Sequence, residues 1–337
     1  MVATVVSGEN HSCALVNGGV QCWGYNLEGQ LGVAPGKNVG PVTLIPGLDA
    51  GVSALALGGF HSLAIVGGAL FVWGWNENGQ LGIGTAKDVY APTPVPALAS
   101  GVTAIAGGVS RSCAVASGGA WCWGGRDSTP VQVEGLSSDV TAITTGQGHS
   151  CAVVAGAAWC WGNNSDGQLG DGSTVSRTTP VHVQGLDSGV TAVSAGRMHT
   201  CAIMSHGAWC WGSNLNLQLG RGANVGDRSI PAPVYGLTSE VSSISAAEQH
   251  ACAVMNGVVQ CWGDNSRGRL GDGTFNDSSV PVRVACLGAD ALGVAAGRLH
   301  SCAAFADRVQ CWGEDYDGQL GDGGKEYSLV PVVAQLR

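Results

Sequence analysis

Residues 10–24 read N-H-S-C-A-L-V-N-G-G-V-Q-C-W-G, and this stretch decides the fold. Asn17-Gly18 is the strongest short signal for a two-residue β-hairpin turn, and it separates two short β-prone runs. A turn at this point pairs Val16 with Gly19 and, further along, Cys13 with Cys22. By the alternation of antiparallel pairs, the two cysteines form a non-hydrogen-bonded pair with Cα atoms about 4.5 Å apart. A disulfide tolerates that separation.

The stretch recurs seven times along the 337 residues. Six copies carry a histidine at its second position, and the third copy carries an arginine. The positions are His11, His61, Arg111, His149, His199, His250 and His300. A fixed period of about 50 residues is typical of solenoids, propellers and other repeat arrays.

Each copy predicts four strands. A strand such as residues 102–106 precedes a G-x-x-H-S turn, the hairpin follows, and a P-V-x-V strand such as residues 180–183 ends the copy. The first and last copies resemble the middle ones, whereas a solenoid needs atypical capping repeats. We therefore expect one all-β domain, a closed seven-bladed β-propeller with four antiparallel strands per blade. The copies span approximately residues 1–50, 51–100, 101–138, 139–188, 189–239, 240–290 and 291–337.

Cysteines occupy both hairpin positions in six copies. The second copy replaces both together, with Leu63 and Val72. Free buried thiols would be lost singly, so joint replacement favours bonded pairs over independent core cysteines. The predicted disulfides join Cys13 with Cys22, Cys113 with Cys122, Cys151 with Cys160, Cys201 with Cys210, Cys252 with Cys261, and Cys302 with Cys311. The thirteenth cysteine, Cys286, has no partner and is predicted to be a buried thiol.

Composition limits the cellular setting. Bonded cysteines are typical of an oxidising compartment, so we expect an extracellular or periplasmic protein, or a cytoplasmic one if the cysteines are free. A net charge of −9 without a basic tract is unfavourable for binding nucleic acid. No apolar run is long enough to span a membrane. No secretory signal is recognisable at Met1, so we expect a mature or excised domain of a longer protein. We also expect a monomer.

Five co-occurring patterns resemble the regulator of chromosome condensation repeat family over essentially the whole chain. They are V-x-x-I-x-x-G, G-x-x-H-[ST], the W-G hairpin, N-x-x-G-Q-L-G and P-x-x-V. The resemblance implies a seven-bladed propeller that binds protein on one face. Family members include a nuclear exchange factor for a small GTPase, a plant ultraviolet-B photoreceptor and a secreted bacterial inhibitor of β-lactamases, so the fold does not determine the function. The cysteine-rich blades fit a bacterial branch, and the photoreceptor's tryptophans after the turn glycine are missing here.

The recurring histidines predict a ring around the propeller. Recurrence in six copies favours a structural hydrogen bond to backbone in the same turn over a metal-binding or pH-sensing rim. A Cys–His dyad would need a free thiolate, which disulfides remove. Acidic loops such as residues 314–318 resemble calcium loops but lack the closing glutamate, so we interpret them as glycine-containing turns. No catalytic residue, metal site or cofactor is predicted, and the chain is not expected to be an enzyme.

The variable residues of the G-x-x-H-S turns are the best candidates for binding a partner, because rigid scaffolds carry function on variable loops. The candidates are Glu9, Asn10, Phe60, Arg111, Gln147, Arg197, Met198, Glu248, Gln249, Arg298 and Leu299. Copy three lacks the N-x-x-G-Q-L-G loop, which predicts a notch, and copy five carries Leu215 and Leu217 at its loop tip. We expect these two features on the rim opposite the turns.

These observations predict a non-enzymatic scaffold, a module of an exported bacterial protein that binds a protein or peptide on one propeller face. Two alternatives stay open. One is an inhibitor of a secreted enzyme. The other is a guanine-nucleotide-exchange-factor-like regulator of a small GTPase, which would need a cytosolic setting and free cysteines.

Overall fold

Seven four-stranded antiparallel sheets form a ring in the computed structural model, which describes residues 1–36, 42–222 and 226–337. Every sheet takes its strands from consecutive elements of the chain. The predicted all-β, seven-bladed propeller is confirmed. No helix among these residues is long and apolar enough to cross a membrane.

The strand bounds show how regularly the copies fold. Blades one to seven contain, in order, β1 Val2–Ser7, β2 His11–Val16, β3 Gly19–Gly24 and β4 Thr43–Leu44; β5 Val52–Leu57, β6 His61–Val66, β7 Ala69–Gly74 and β8 Val89–Pro94; β9 Val102–Gly107, β10 Arg111–Ala116, β11 Gly119–Gly124 and β12 Asp127–Gln132; β13 Val140–Thr145, β14 His149–Val154, β15 Ala157–Gly162 and β16 Arg177–His182; β17 Val190–Ala195, β18 His199–Met204, β19 Gly207–Gly212 and β20 Arg228–Pro233; β21 Val241–Ala246, β22 His250–Met255, β23 Val258–Gly263 and β24 Ser278–Arg283; β25 Gly293–Ala296, β26 His300–Ala304, β27 Val309–Gly313 and β28 Ser328–Val333. The first strand of each blade lines the central channel.

In the described ranges, no strand is shared between the first and last blades of the ring, because each of these blades is built from one copy. Side chains and backbone groups hold the junction instead. The Val2 amide donates to the Ala306 carbonyl oxygen at 3.0 Å. Trp23 packs with Val309 and Leu320 of the seventh blade.

The hairpin register and all six disulfides are confirmed. Val16 pairs with Gly19 and Cys13 with Cys22, and the Cα atoms of the bonded cysteines lie 4.0–4.1 Å apart. In the second blade, Leu63 and Val72 form the same pair and are fully buried. Six blades therefore carry a disulfide at this position of the hairpin, and the second blade carries a packed aliphatic pair instead.

The prediction of a buried thiol at Cys286 is wrong, since this side chain is exposed. Cys286 adopts a left-handed backbone conformation with φ 57°, where blades one and four have Gly47 (φ 81°) and Gly185 (φ 76°). A Cβ atom added at either glycine would meet nothing within 4 Å. A side chain at this turn therefore projects into solvent, whatever its chemistry.

The G-x-x-H-S turns and the N-x-x-G-Q-L-G loops lie on one face, so the prediction that they occupy opposite rims is wrong. The antiparallel hairpin brings the start of each second strand beside the end of the third, as the pairing of His11 with Gly24 shows. The Asn10 carbonyl oxygen accepts a hydrogen bond from the Tyr25 amide at 2.9 Å. We call this surface, residues 8–10 and 25–32 with their equivalents in other blades, the loop face. The surface that carries hairpin turns such as Asn17-Gly18 is the hairpin face.

Candidate partner-binding face

A cavity of about 360 Å³ opens at the centre of the loop face. The ends of the inner strands and the first variable residue of each G-x-x-H-S turn line it. Below it, a second cavity of about 280 Å³ continues between the inner strands. The loop face therefore surrounds the mouth of the central channel.

The structure brings five of the eleven candidate residues together at this mouth. They are Glu9, Gln147, Arg197, Glu248 and Arg298, and Gly59 and Val109 complete the ring. The other six candidates do not line the cavity and lie on the turns around it: Asn10, Phe60, Arg111, Met198, Gln249 and Leu299. Their role in binding stays a prediction.

Four charged residues form a continuous arc along one side of the mouth. Glu248 pairs with Arg197 and, at 2.9 Å, with Arg298. Arg298 also lies 3.7 Å from Glu9. Burial raises the pKa of the Glu9 carboxyl above its usual value, and the nearby Arg298 opposes that shift. One side of the mouth, from blade five to blade one, is therefore charged, whereas blades two to four contribute no formal charge there.

An aromatic cluster stands beside the uncharged side. Phe60 packs between Tyr25 and Trp75, with ring centroids 5.6 and 6.2 Å apart. Leu27, on the adjoining loop, is 45% exposed. Tyr25 and Trp75 were missed from the sequence because they follow the W-G pair instead of lying in the turn. Their signal was an aromatic residue directly before the loop asparagine in the first two copies only.

The third blade leaves a notch in the loop face, as predicted. β11 ends at Gly124 and β12 begins at Asp127, so no loop rises between them. Arg111 is exposed beside this gap. On the loop of blade five, Leu215 is 79% exposed and stands on the same face.

The recurring histidines link neighbouring blades, so the prediction of a backbone partner in the same turn is wrong. His11 Nε2 lies 3.2 Å from the Ser62 hydroxyl of the next blade. The Ser62 hydroxyl donates to the Gln30 carbonyl oxygen at 2.8 Å, and Trp73 Nε1 donates to the same oxygen at 2.9 Å. Because the single hydroxyl proton goes to the carbonyl, His11 must donate from Nε2.

We call this His–hydroxyl–carbonyl arrangement the latch. Four further junctions repeat it, and their histidine and hydroxyl pairs are His61 with Ser112, His149 with Thr200, His250 with Ser301, and His300 with Ser12. The junction after His199 lacks it, since Ala251 replaces the hydroxyl. Both imidazole nitrogens are buried there, and no residue that the structure describes forms a hydrogen bond with them.

Burial keeps these imidazoles neutral. Desolvation lowers the pKa of His11, His61, His199 and His300 to about 3 and that of His149 to about 4. In the described part of the chain, no group of three or more His, Cys, Asp or Glu side chains is arranged to hold a metal ion. Buried and neutral, five of the six histidines join neighbouring blades through the latch.

This geometry defines the class of the protein: it is a closed propeller with one face whose residues differ from blade to blade. The family profile for the Regulator of chromosome condensation (RCC1) repeat matches residues 67–115, 155–203, 205–254 and 256–304. A second profile for the same repeat matches residues 2–30 and 190–218. These matches cover more than half of the chain, and the protein belongs to the RCC1 repeat family. The resemblance found in the sequence is confirmed.

Solved structures of other proteins share the fold. The crystal structure of human WBSCR16 is similar with a TM-score of 0.82 and 20% identity, over 94% of each chain. Prp20p from Saccharomyces cerevisiae, described with its binding to Gsp1p and histones, has a TM-score of 0.84 and 23% identity over 98% of this chain and 87% of that one. Yeast RCC1 (Prp20) in complex with Kap60 gives 0.81 and 23%, over 94% and 83%. A search of curated protein sequences gave no match.

Proposed function

We propose that this protein is a non-enzymatic, monomeric module that binds a protein or peptide partner on its loop face. The proposal rests on one observation: the blades differ from one another at the channel mouth. The disulfides and most latches repeat around the ring, whereas the seven residues at the channel mouth include two arginines, two glutamates, a glutamine, a valine and a glycine. A surface that varies on a scaffold that repeats is typical of a binding site.

The chemistry of the loop face fits a protein surface. Arg197 and Arg298 keep 39% and 45% of their side chains exposed although both are paired with Glu248. The cluster around Phe60 offers aromatic area within the same face. Arginine and aromatic side chains dominate the binding energy of protein interfaces. We expect a partner with an apolar side chain against Phe60 and an acidic or amide group against the arginines.

Six disulfides are typical of an oxidising, extracellular environment, and we place the module in an exported bacterial protein. A secreted enzyme held by the loop face would make the module an inhibitor. Regulation of a small GTPase, which the likeness to Prp20p favours, is the second candidate. The disulfides weigh against it, since a cytosolic GTPase works where thiols stay reduced.

A selection experiment with paired variants tests the proposal. The native protein would be immobilised and used to select binders from a displayed peptide library and from proteins of the extracellular medium. Each binder would then be titrated against Phe60→Ala and Arg298→Ala on the loop face, and against Asp49→Ala and Leu292→Ala on the hairpin face. We expect the loop-face variants to weaken binding at least tenfold and the controls to bind like the native protein.

Equal weakening by the hairpin-face variants would contradict the assignment of the face. The absence of any saturable binder would contradict the function. A purified small GTPase that exchanges nucleotide faster with the oxidised protein would favour the second candidate instead.

A further inference from the structure

A buried asparagine organises the loop of the fourth blade. Asn164 Oδ1 accepts a hydrogen bond from the Leu169 amide at 2.8 Å. Its Nδ2 donates to Asp171 Oδ1 at 3.2 Å and to the carbonyl oxygens of Ser173 and Val175 at 3.1 and 3.2 Å. The position of Nδ2 is therefore surrounded by oxygen acceptors, and the amide suits it because it brings two protons.

A hydroxyl completes this arrangement. Ser173 Oγ donates to Asp171 Oδ1 at 2.8 Å and lies 3.3 Å from Asn164 Nδ2. Blade six repeats it, with Thr274 in the place of the serine and its hydroxyl 2.9 Å from Asp272 Oδ1. In both blades the loop satisfies its own polar groups.

The seventh blade changes two of these residues at once. Asp315 stands in the place of the asparagine, and Gly324 in the place of the serine or threonine. The loop keeps its course, because Asp315 Oδ1 accepts from the Leu320 amide at 2.8 Å and the Gly324 amide donates to Asp322 Oδ1 at 2.7 Å. A carboxylate oxygen of Asp315 therefore stands where the asparagine Nδ2 donates in blades four and six, among groups that can only accept a hydrogen bond. Asp315 is fully buried, and in the described part of the chain no N–H or hydroxyl group donates to its Oδ2.

The carboxylate oxygens of Asp315 and Asp322 converge on the position that a hydroxymethyl group takes in the other two blades. A Cβ atom placed on Gly324 would lie 3.0 Å from Asp322 Oδ1, 3.4 Å from Asp322 Oδ2 and 3.3 Å from Asp315 Oδ2. No ion pair among the described residues joins either carboxylate to a lysine or arginine. A buried carboxylate without a compensating group is costly, so this site requires a positive charge or a proton.

We propose that Asp315, Asp322 and the adjoining loop carbonyls form a binding site for Ca²⁺. The donor set contains only oxygen, which selects hard cations, and Ca²⁺ tolerates the irregular geometry that a loop provides better than Mg²⁺ does. By their place in the loop, Gly324 and Glu326 correspond to Ser173 and Val175, whose carbonyl oxygens face the asparagine in blade four. The sequence alone predicted an ordinary turn here, because the closing glutamate of a calcium loop is missing.

The site would stabilise the loop face next to the ring closure. Asp317, two residues after Asp315, accepts a hydrogen bond from Asn10 Nδ2 of the first blade at 2.8 Å. A bound ion would therefore fix the loop that contacts the first blade. This role does not depend on which partner the face binds.

The test compares thermal unfolding of the intact, oxidised protein at pH 7.5 in EDTA, in 5 mM MgCl₂ and in 5 mM CaCl₂, together with calorimetric titration of CaCl₂. With a Kd of about 0.5 mM, typical of weak extracellular sites, CaCl₂ should raise the Tm by about 2 °C. MgCl₂ should raise it less. Asp315→Asn restores the amide of the other blades, so it should fold, keep or increase its Tm in EDTA, and lose the response to calcium.

Asp166→Asn is the matched control, since it removes a carboxylate at the position of Asp317 in the loop of blade four. It should respond to calcium like the native protein. A native protein that shows neither a calcium-dependent Tm nor binding heat would overturn the proposal and indicate a proton shared by the two carboxyls. A calcium response that persists in Asp315→Asn would also overturn it, because the ion would then bind elsewhere.

Discussion

Replacing Ser62 with alanine should destabilise the ring by opening one latch. The substitution removes the hydroxyl that receives the proton of His11 Nε2 and donates to the Gln30 carbonyl oxygen. That carbonyl keeps its bond from Trp73, but the imidazole N–H is left buried without an acceptor. An unsatisfied buried donor costs about 1–3 kcal/mol, and the loss should fall in this range.

The reverse change should stabilise the protein at the junction that lacks the hydroxyl. His199 faces Ala251 there, and among residues 1–36, 42–222 and 226–337 neither of its ring nitrogens has a hydrogen-bond partner. The Gln218 carbonyl oxygen is in place, since it accepts from Trp262 Nε1 at 2.9 Å. Ala251→Ser supplies a hydroxyl between the two groups, and two new hydrogen bonds should add roughly 1–2 kcal/mol to the free energy of unfolding.

Urea unfolding with intact disulfides, followed by tryptophan fluorescence, measures both changes. Ser150→Ala is the control, because this hydroxyl lies at the same position but bonds Thr145 Oγ1 at 2.9 Å and meets no histidine from blade three. It should cost less than Ser62→Ala. Equal losses in the two serine variants, or a loss in Ala251→Ser, would refute the latch as a source of stability.

Three further predictions concern the histidines, the odd cysteine and the second blade. Each buried histidine has a folded pKa below its unfolded value of about 6.5, so its contribution to the free energy of unfolding is complete above that pH. At pH 5.5 the free energy of unfolding should be lower by roughly 1.4 kcal/mol per histidine, because the unfolded state takes up a proton that the folded state does not. A urea midpoint that stays constant from pH 7.5 to 5.5 would contradict the buried neutral state. Alkylation of the unreduced native protein should add one label, at the exposed Cys286, and mass analysis that finds none or several would contradict the thiol assignment. The double variant Leu63→Cys/Val72→Cys should form a seventh disulfide but change the free energy of unfolding by less than about 1 kcal/mol. Closing a ten-residue loop contributes roughly 2.5 kcal/mol, and the lost aliphatic packing costs about 2 kcal/mol. A clear gain in the urea midpoint would show that the packing contributes less than this.

Local patterns in the sequence were sufficient to predict the strands and disulfides of the individual blades. The turn at Asn17-Gly18 fixes the register, and the register brings Cys13 opposite Cys22, so the disulfide follows from residues within one hairpin. The exposure of Cys286 was also within reach, because glycine at the same turn in other copies indicates a position with positive φ.

Contacts between blades were not predictable in the same way. The partner of His11 lies 51 residues away on the next blade, and no local pattern assigns it. The sequence hints at this pairing in two ways: the histidine and the hydroxyl recur together, and one copy replaces the hydroxyl with Ala251. The arc from Arg197 to Glu9 depends on the curvature of the ring, which places the side chains of four blades against one another.

The absence of a shared strand at the ring closure makes each copy a self-contained building block. A β-sheet divided between the two ends of the chain would tie the ends to each other's backbone, but here every sheet and every disulfide begins and ends within one copy. Tandem duplication or exchange of a copy would break no strand pairing within a sheet, and a new junction could form the same latch that five of the seven junctions contain. Contacts that repeat from junction to junction make such a ring easy to rebuild by recombination, while its central face is free to diverge.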